Sequence, residues 1–361
     1  MKVKFNNPVT SQSLQKTMRE RVNAYFKQNN ISKKANWKMW LKMAILLGIY
    51  FGAYLGILLI PMSLVAMWML TVVIGLSYAG IGMSIMHDAC HGAFSSSPKI
   101  NNFLGYSMNL IGGNKFNWMV QHNVKHHTYP NIYGADEDLD NGDVLRLSPY
   151  SDWHWFHRFQ HYYSWFLYML GTLSWVTIKD FRQFKGLYQE MGNDKKSFNN
   201  QLMVLITSKI LYYLYIVLIP WLVLDISILY ILVGFLTLHF VAGFVLSVTF
   251  QLAHIAEKSH HDSAHINPEI PDSWIEHQIK TTANFSRKSL FLNWYLGGLN
   301  FQIEHHLFPQ ICHIHYRKIS EIVRDTVKEH GLSYYEHPNM ARAIQSHYRT
   351  LKKYAVKPTV V

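Results

Sequence analysis

The sequence predicts an all-α integral membrane protein with four transmembrane helices in two hairpins and a cytosolic helical cap. Of its 361 residues, 49% are hydrophobic, 16% are charged and 15% are aromatic, a balance closer to membrane proteins than to soluble domains. Two long segments carry almost no charge, and the basic residues are confined to the segments that flank them.

Two uncharged runs predict the spans. Residues 43–86 and 210–253 each comprise 44 residues, enough for two helices of about 20 residues. The first run has no charged side chain, and Asp225 is the only one in the second. Pro61, and the sequence LVLDIS around Asp225, predict a short turn within each run. Each run is therefore predicted to form a transmembrane hairpin.

The basic residues predict the orientation. Segments 1–42, 87–209 and 254–361 hold 10, 11 and 13 of the 34 Lys and Arg residues. Since basic residues are retained on the cytoplasmic side, both termini and the middle segment should lie in the cytosol. The polar start MKVKFNNPVT indicates no cleavable signal peptide. No linker rich in Gly, Pro or Ser divides the chain, so we expect one domain over residues 1–361.

The cytosolic segments carry further predictions. Phe103 to Gly113 and Trp165 to Ile178 are too short to span and suit helices at the membrane interface. The sequence ISEIVRDTVKEHGL, from Ile319, predicts a cytosolic helix with a glycine cap. Cys90 and Cys312 are both predicted to be cytosolic, so we expect no disulfide.

The net charge of +12 allows two interpretations. It suits attachment to the anionic inner leaflet, and it also suits attraction of an anionic substrate head group or redox partner. Nucleic acid is not an expected partner.

The 21 histidines cluster where the predicted spans end. HDACH puts His87 and His91 at positions i and i+4, so that both imidazoles share one face of a continuing helix. HNVKHH repeats this spacing with His122 and His126 and adds His127 about 100° further round. The remaining members of the set are His254, at the end of the fourth span, and His305 and His306 in QIEHH.

This conjunction predicts metal binding more strongly than any single pair does. Neutral imidazole suits iron, zinc, copper and nickel alike, and the scarcity of cysteine disfavours thiolate sites. Eight histidines exceed what one metal ion can take. The simplest interpretation is a histidine-rich dimetal site carried by the cytosolic cap.

HDACH, HNVKHH and QIEHH, in this order around two hairpins, resemble the three histidine motifs of the membrane-bound fatty acid desaturases, over about Met43 to His315. The glutamine that heads the third motif, Gln302, resembles the front-end branch, which includes linoleoyl-CoA desaturases and bacterial relatives. The resemblance implies a non-haem diiron centre that uses dioxygen and two electrons to form a double bond in an acyl chain. The iron ligands that it implies are His87, His91, His122, His126, His127, His254, His305 and His306.

Other residues near the motifs are candidates for supporting roles. The amide oxygen of Gln302 is a weaker ligand than imidazole, so Gln302 is expected to coordinate, to hold a water or to orient a neighbour. A ligating imidazole usually donates its other N–H to a carboxylate or carbonyl. Candidates for that contact, or for a solvated acidic loop, are Asp88, Asp136, Glu137, Asp138, Glu257 and Glu304. Asn300 and Trp294 are candidates for shaping the site or for ordinary packing, and His161 for an outer ligand.

The other histidines are not expected at the metal. His239 lies inside the fourth span, where a hydrogen bond to a neighbouring helix is expected. A surface position is predicted for His260, His261, His313 and His315.

The resemblance also bears on partners. Only 42 residues precede the first span, and the HPGG motif of a fused haem domain does not occur, so we expect electrons from a separate ferredoxin or cytochrome that docks on the basic cytosolic face. The expected substrate is a fatty acyl chain linked to CoA, lipid or a carrier protein, with its tail between the spans.

Three functions follow from these patterns: a desaturase, a related diiron hydroxylase, and a non-enzymatic metal transporter or sensor. The last predicts polar residues along the spans, whereas the spans contain little besides His239 and Lys209, and Lys209 is expected to snorkel. New double bonds in host lipids would indicate the first function, and new hydroxy acids the second.

Overall fold

The chain is mainly helical. The computed structural model describes residues 3–139, 143–191 and 194–358, apart from the side chains of Val9 and of residues 188–190. Among the described residues, four helices are long and apolar enough to cross a membrane, namely Trp37–Leu59, Leu64–Cys90, Lys195–Val223 and Ile228–His254. Four candidate spans were predicted, and this part of the prediction is confirmed.

The breaks between these helices fall where the sequence places them. Pro61 lies between the first and second, and Asp225 between the third and fourth. The helices extend beyond the uncharged runs, since the first begins at Trp37 and the third at Lys195. Consequently Lys42 and Lys209 lie inside candidate spans.

In chain order, the α-helices are α1 Val9–Gln28, α2 Trp37–Leu59, α3 Leu64–Ile81, α4 His87–Cys90, α5 Pro98–Gly105, α6 Ser107–Leu110, α7 Lys115–Trp118, α8 Gln160–Met169, α9 Gly171–Ser174, α10 Asp180–Glu190, α11 Lys195–Tyr213, α12 Ile219–Val223, α13 Ile228–His254, α14 Trp274–Thr281, α15 Leu290–Tyr295, α16 Gln302–Leu307, α17 Tyr316–Glu329 and α18 Met340–Tyr354. Short 3₁₀ turns cover Trp155–Phe159 and His313–His315. In the described part of the chain four segments are π-helical, namely Gly82–Met86, Met119–His126, Trp175–Lys179 and Leu214–Leu218.

Three pairs of two-residue parallel strands qualify the all-α prediction. Their bounds are β1 Lys4–Phe5 with β4 Glu269–Ile270, β2 Ile132–Tyr133 with β3 Asp262–Ser263, and β5 Asn284–Phe285 with β6 Glu336–His337. Each pair joins segments that are distant in sequence. One of them, β2 with β3, joins the loop after HNVKHH to the loop after His254.

The described core runs from the candidate spans into the helices outside them. Helix α3 packs against both α2 and α13, and their contact buries Ile74, Tyr78 and Leu238. Outside the candidate spans, α1, α14, α16 and α17 share a second apolar cluster around Val22 and Ile303. The third motif, on α16, is therefore held by packing on one side.

The predicted C-terminal helix is confirmed. It forms α17, which begins three residues before Ile319 and ends at Glu329. Gly331 follows with a φ of +75°, and its backbone N–H donates to the Lys328 carbonyl. A left-handed residue just beyond a helix is the usual glycine stop, as the sequence predicted.

Candidate metal centre

The HDACH motif lies at the end of the second candidate span. A π-helical turn, Gly82–Met86, precedes α4, and the backbone N–H of His91 donates to the His87 carbonyl at 3.1 Å. The centroids of the two imidazole rings are 4.7 Å apart. The prediction that these rings share a helix face is confirmed.

A close backbone contact brings the third motif to the first. Gly297 has a φ of +61°, and a Cβ atom there would collide with the Met83 carbonyl oxygen. Glycine alone combines this backbone conformation with so close an approach. The chain leading to α16 can therefore pass directly beside the turn before His87.

The HNVKHH motif departs from the regular α-helix that its spacing predicts. Residues Met119–His126 are π-helical, and the backbone N–H of His127 donates to the carbonyl of His122, five residues earlier. Residues i and i+5 lie above one another in such a turn. The Nε2 atoms of His122 and His127 are accordingly 3.3 Å apart. The expected i and i+4 pairing of His122 with His126 is retained, with ring centroids 5.4 Å apart, and an i and i+5 pairing with His127 is added to it.

The third motif lies on α16, a six-residue helix whose two histidines diverge. Successive residues of a helix point about 100° apart. The rings of His305 and His306 are inclined at 80°, with centroids 5.4 Å apart. Their divergence lets one short helix serve two neighbouring groups.

The structure brings together all eight histidines nominated from the sequence. Within each of three groups, one potential ligand atom per residue lies within 4.8 Å of the others. The first group comprises His87, His91, His122 and His305, the second His126, His254 and His306, and the third His127, His305 and His306. His127 therefore lies between the first two groups, with its Nε2 atom 2.9 Å from that of His305.

The electrostatics of this cluster fit metal ions. In the described part of the chain, several of its buried ring nitrogens have no hydrogen-bond partner, namely both nitrogens of His87 and His254, Nε2 of His91, His126 and His306, and Nδ1 of His127. Burial, reinforced by neighbouring imidazoles, lowers the pKa of His91, His122, His127, His305 and His306 well below the usual value. These rings are neutral near pH 7, which is the form that binds a metal. Buried, neutral and unpartnered imidazoles fit two divalent ions of the kind that nitrogen ligands prefer.

His126 differs from these histidines in the direction of its pKa shift. Burial favours its neutral form, but the carboxylates of Asp136 and Asp138 outweigh burial and raise its pKa. Asp136 lies 3.1 Å from His126 Nδ1 and also accepts backbone N–H groups from Asn131 and Asp138 at 2.9 and 3.0 Å. His126 Nδ1 is thereby fixed as a donor, which leaves Nε2 available as a ligand.

Of the other acidic residues in the GADEDLDNGD segment, Asp138 contacts His126 and Glu137 does not. Asp138 Oδ2 lies 3.4 Å from His126 Nδ1, and Asp138 also accepts from Gln121. Glu137 instead forms a salt bridge with Lys125. Residues 140–142 of the GADEDLDNGD segment lie outside the described residues.

Two partners of the third motif were missed from the sequence. His306 Nδ1 lies 2.7 Å from Oε1 of Gln278, and His305 Nδ1 lies 3.4 Å from the Tyr316 hydroxyl. Gln278 is on α14 and Tyr316 begins α17. Neither carries a local motif, so only the tertiary packing of these helices reveals them.

The predicted surface position is wrong for three of the four histidines for which it was made. His261, His313 and His315 are buried, and only His260 is exposed. The buried ring of His313 has a polar partner, since its Nδ1 atom lies 2.8 Å from the carboxylate of Asp88. Asp88 is also beside His87, its Oδ1 atom 3.9 Å from His87 Nδ1.

Several candidates for supporting roles contact other groups. Glu304 is buried and accepts from Asn284 and Tyr334 at 2.7 and 2.9 Å, and burial raises its pKa to about 7. Glu257 lies at the surface, 3.6 Å from Arg349. The side chain of Asn300 donates to the Phe285 carbonyl and to Asn293. The backbone carbonyl of Trp294 accepts a hydrogen bond from Lys42. The ring of His161 contacts the rings of Tyr162 and Tyr348.

Gln302, in contrast to these candidates, has a side chain that is available to a ligand. Its side chain is completely buried, and neither its amide oxygen nor its amide nitrogen has a hydrogen-bond partner among the described residues. Gln302 and His306 are i and i+4 on α16, so their side chains share one face of the helix. An unpaired buried amide is costly unless something polar receives it.

Inside the spans, the structure confirms one expectation and corrects another. His239 bonds Tyr212 of α11 through Nε2 at 2.9 Å, so the predicted hydrogen bond to a neighbouring helix is confirmed. Lys209 does not snorkel, since it is 3% exposed and forms a buried ion pair with Asp180 at 2.6 Å.

An apolar cavity of about 270 Å³ lies between the candidate spans, near the turns that contain Pro61 and Asp225. The lining residues closest to the histidines along their helices are Ile74 and Leu238. At 1.5 Å per residue they are about 20 Å from His87 and about 24 Å from His254. The cavity is therefore remote from the metal centre.

The sequence comparisons agree with this geometry. The model of the fatty acid desaturase family matches residues 62–338. An sn-1 linoleoyl-lipid 6-desaturase of Arthrospira platensis is 33% identical over 99% of this chain and 96% of its own length. A protein of the same name from Synechocystis is also 33% identical, over 97% of both chains. An acyl-lipid (8-3)-desaturase of Physcomitrium patens is 32% identical over 93% of this chain and 70% of its own.

A helical membrane-type fold with three converging histidine motifs and matches of this extent defines an oxidoreductase of acyl chains. The chain belongs to the fatty acid desaturase family, and it is a fatty acyl desaturase. The family membership predicted from the three motifs is confirmed, as is the similarity to front-end desaturases.

Proposed function

We propose that the two histidine groups hold two iron ions, and that the protein desaturates a lipid-linked acyl chain with dioxygen and two electrons from a separate donor. The observation that carries this proposal is the convergence of eight buried imidazoles, six of which have a ring nitrogen without a hydrogen-bond partner among the described residues. An unactivated methylene has no acidic proton and no electrophilic carbon, so side chains alone cannot catalyse the reaction. The iron would supply oxygen activation.

The geometry supports a division of ligands between two sites. The first site takes the first histidine group, and the second takes His126, His254 and His306. His127 lies between them and is a ligand that either site can use. We assign Gln302 to the second site, because it shares a helix face with His306 and has no other partner among the described residues.

The surrounding residues orient these ligands and exclude water. Asp136 fixes the ring of His126, and Gln278 fixes that of His306. Such outer contacts hold the imidazole in one tautomer and orientation. Since the histidines are almost fully buried, an acyl chain that reaches them reacts away from bulk water.

The proposed topology has two transmembrane hairpins, formed by residues 43–86 and 210–253, with both termini and the active site in the cytosol. The asymmetric distribution of Lys and Arg supports it. His254 ends one candidate span and His87 lies three residues before the end of another, which supports a centre at a boundary between apolar and polar surroundings. An amphipathic substrate suits this boundary, because its tail can remain in lipid while its head remains wet.

The substrate class follows from the relatives. Three of them are named as desaturases of lipid-linked acyl chains, and two of these match nearly the whole chain. The basic cytosolic surface supports docking of an acidic ferredoxin or a cytochrome as donor.

Lipid analysis of a host that produces the protein tests the proposal. Cells with the wild-type protein and an active donor should accumulate a new unsaturated acyl chain in membrane lipids, and cells with His126→Ala should not. Labelled substrates supplied as acyl-CoA or as lipid identify the carrier. Hydroxy acids in place of new double bonds would contradict the proposed reaction, as would an unchanged profile with inserted, iron-loaded protein.

A further inference from the structure

Lys42 is buried inside α2, the first candidate span. Lys42 is only 2% exposed, although a lysine near a span end can normally extend its ammonium to water. A charged residue held at such a position is a functional candidate by default, and its partners indicate the role.

The partners of Lys42 form a chain that leads to the first histidine motif. Its Nζ atom donates to the Trp294 carbonyl and lies 3.0 Å from Nε2 of His313. An ammonium can only donate, so this nitrogen of His313 must accept. The opposite nitrogen, Nδ1, therefore carries the hydrogen that it donates to the Asp88 carboxylate at 2.8 Å.

This chain joins two motifs that supply the same histidine group. Asp88 is adjacent to His87 in the sequence, and it also accepts the backbone N–H of His313 at 3.2 Å. His313 follows α16, which carries His305. The carboxylate thus ties the segment after the third motif to the first motif, while Lys42 fixes the tautomer that makes the tie possible.

We propose that Lys42 is a positioning residue of the first histidine group, which acts through His313 and Asp88 to hold His87 and His305 in register. The inference rests on the proposed function, since it concerns metal bound by these histidines. Without the ammonium, His313 Nε2 loses its donor and either tautomer becomes available. Asp88 then loses its fixed side-chain donor, keeps only the backbone N–H of His313, and can turn toward His87 Nδ1.

The chain offers a matched control in Lys209. It is equally buried in another candidate span, and it is also paired with a carboxylate, that of Asp180. Among the described residues its other hydrogen bonds go to the carbonyls of Gly112 and Trp175, and none goes to a histidine of the metal centre. Lys209→Met therefore reproduces the loss of a buried ammonium without disturbing the metal ligands.

The experiment compares wild type, Lys42→Met and Lys209→Met, each purified in its folded form and loaded with isotopically enriched iron. Mössbauer spectra report the two iron environments separately, and steady-state assays give kcat and KM. For Lys42→Met we expect the signal of one iron to change and kcat to fall about 10- to 100-fold with little change in KM, as for other outer-sphere contacts of metal ligands. For Lys209→Met we expect lower thermal stability, wild-type spectra and wild-type kcat per folded molecule.

A second pair of variants covers the case in which Lys42→Met does not fold. His313→Gln retains a donor toward Asp88 and an acceptor toward Lys42, whereas His313→Leu retains neither. The glutamine variant should keep the wild-type spectrum and the leucine variant should not.

Different results would contradict the proposed function and the role of Lys42. A wild-type protein that binds no iron or forms no double bond would defeat the proposed function. An iron-loaded and active wild type, with unchanged spectrum and kcat in Lys42→Met or His313→Leu, would defeat only the role of Lys42.

Discussion

His239 and His347 are as deeply buried as the histidines of the metal centre, yet both nitrogens of each ring have partners. His239 contacts the hydroxyls of Tyr212 and Thr172 at 2.9 and 3.1 Å. His347 contacts the Tyr168 hydroxyl and the Ile255 carbonyl at 2.8 and 2.9 Å. In contrast, neither nitrogen of His254 has a partner among the described residues. Burial alone therefore does not mark a candidate ligand, and His254 differs from these two histidines in lying close to other imidazoles, those of His126 and His306.

The largest expected effect comes from removing a ring of the metal centre. His126→Ala and His305→Ala should each lower turnover by about 100-fold or more, because lost ligands cannot be replaced by the buried surroundings. Both proteins should still insert in the membrane. Turnover and iron content of the purified variants measure the effect, and normal values for both would refute the ligand assignment.

Removing an orienting group should have a smaller effect. Asp136→Asn keeps the size of the side chain but weakens the hold on His126 Nδ1, so we expect iron affinity or turnover to fall about 10- to 100-fold. Iron titration followed by activity assay measures it. Glu137→Gln serves as the control, since Glu137 forms a salt bridge with Lys125 and should leave both quantities near wild type. Equal effects of the two variants would show that Asp136 has no special role.

Gln302→Ala should be milder still. An amide is a weaker ligand than imidazole, so we expect a loss of turnover of about 10-fold or less, with iron still bound at the first histidine group. Metal analysis together with turnover tests this expectation. A complete loss of one iron per chain would show that Gln302 is as important as a histidine, and wild-type values would show that it is not a ligand.

The smallest effect on catalysis is expected at the structural histidine. His239→Phe leaves the Tyr212 hydroxyl without its partner, while the Thr172 hydroxyl keeps its bond to the carbonyl of residue 239, at a cost of about 1–3 kcal/mol in unfolding free energy. Thermal unfolding should shift downward while iron content and turnover per folded molecule stay unchanged. Loss of iron in this variant would erase the distinction between the two kinds of histidine.

Local patterns in the sequence were sufficient for the spans and the ligand candidates. The uncharged runs are long and their breaks coincide with Pro61 and Asp225, so composition alone located four helices. The histidine motifs were recognisable because ligands of one site recur at short spacing. Burial of His313 was not predictable, since its partner Asp88 lies 225 residues away in the chain.

Backbone detail was equally beyond the sequence. A spacing of four residues between His122 and His126 suggests an α-helix, but the segment is π-helical and also pairs His122 with His127. Gln278 and Tyr316 contact the third motif only because α14 and α17 pack beside α16. Tertiary packing, which local periodicity does not encode, decides both features.

Elemental analysis of the purified wild-type protein tests the central claim most directly. We predict two iron ions per chain, with the stoichiometry reduced in His254→Ala and preserved in His239→Phe. Protein that is folded and active in lipid desaturation but contains no iron, or that retains full iron after loss of His254, would contradict the account.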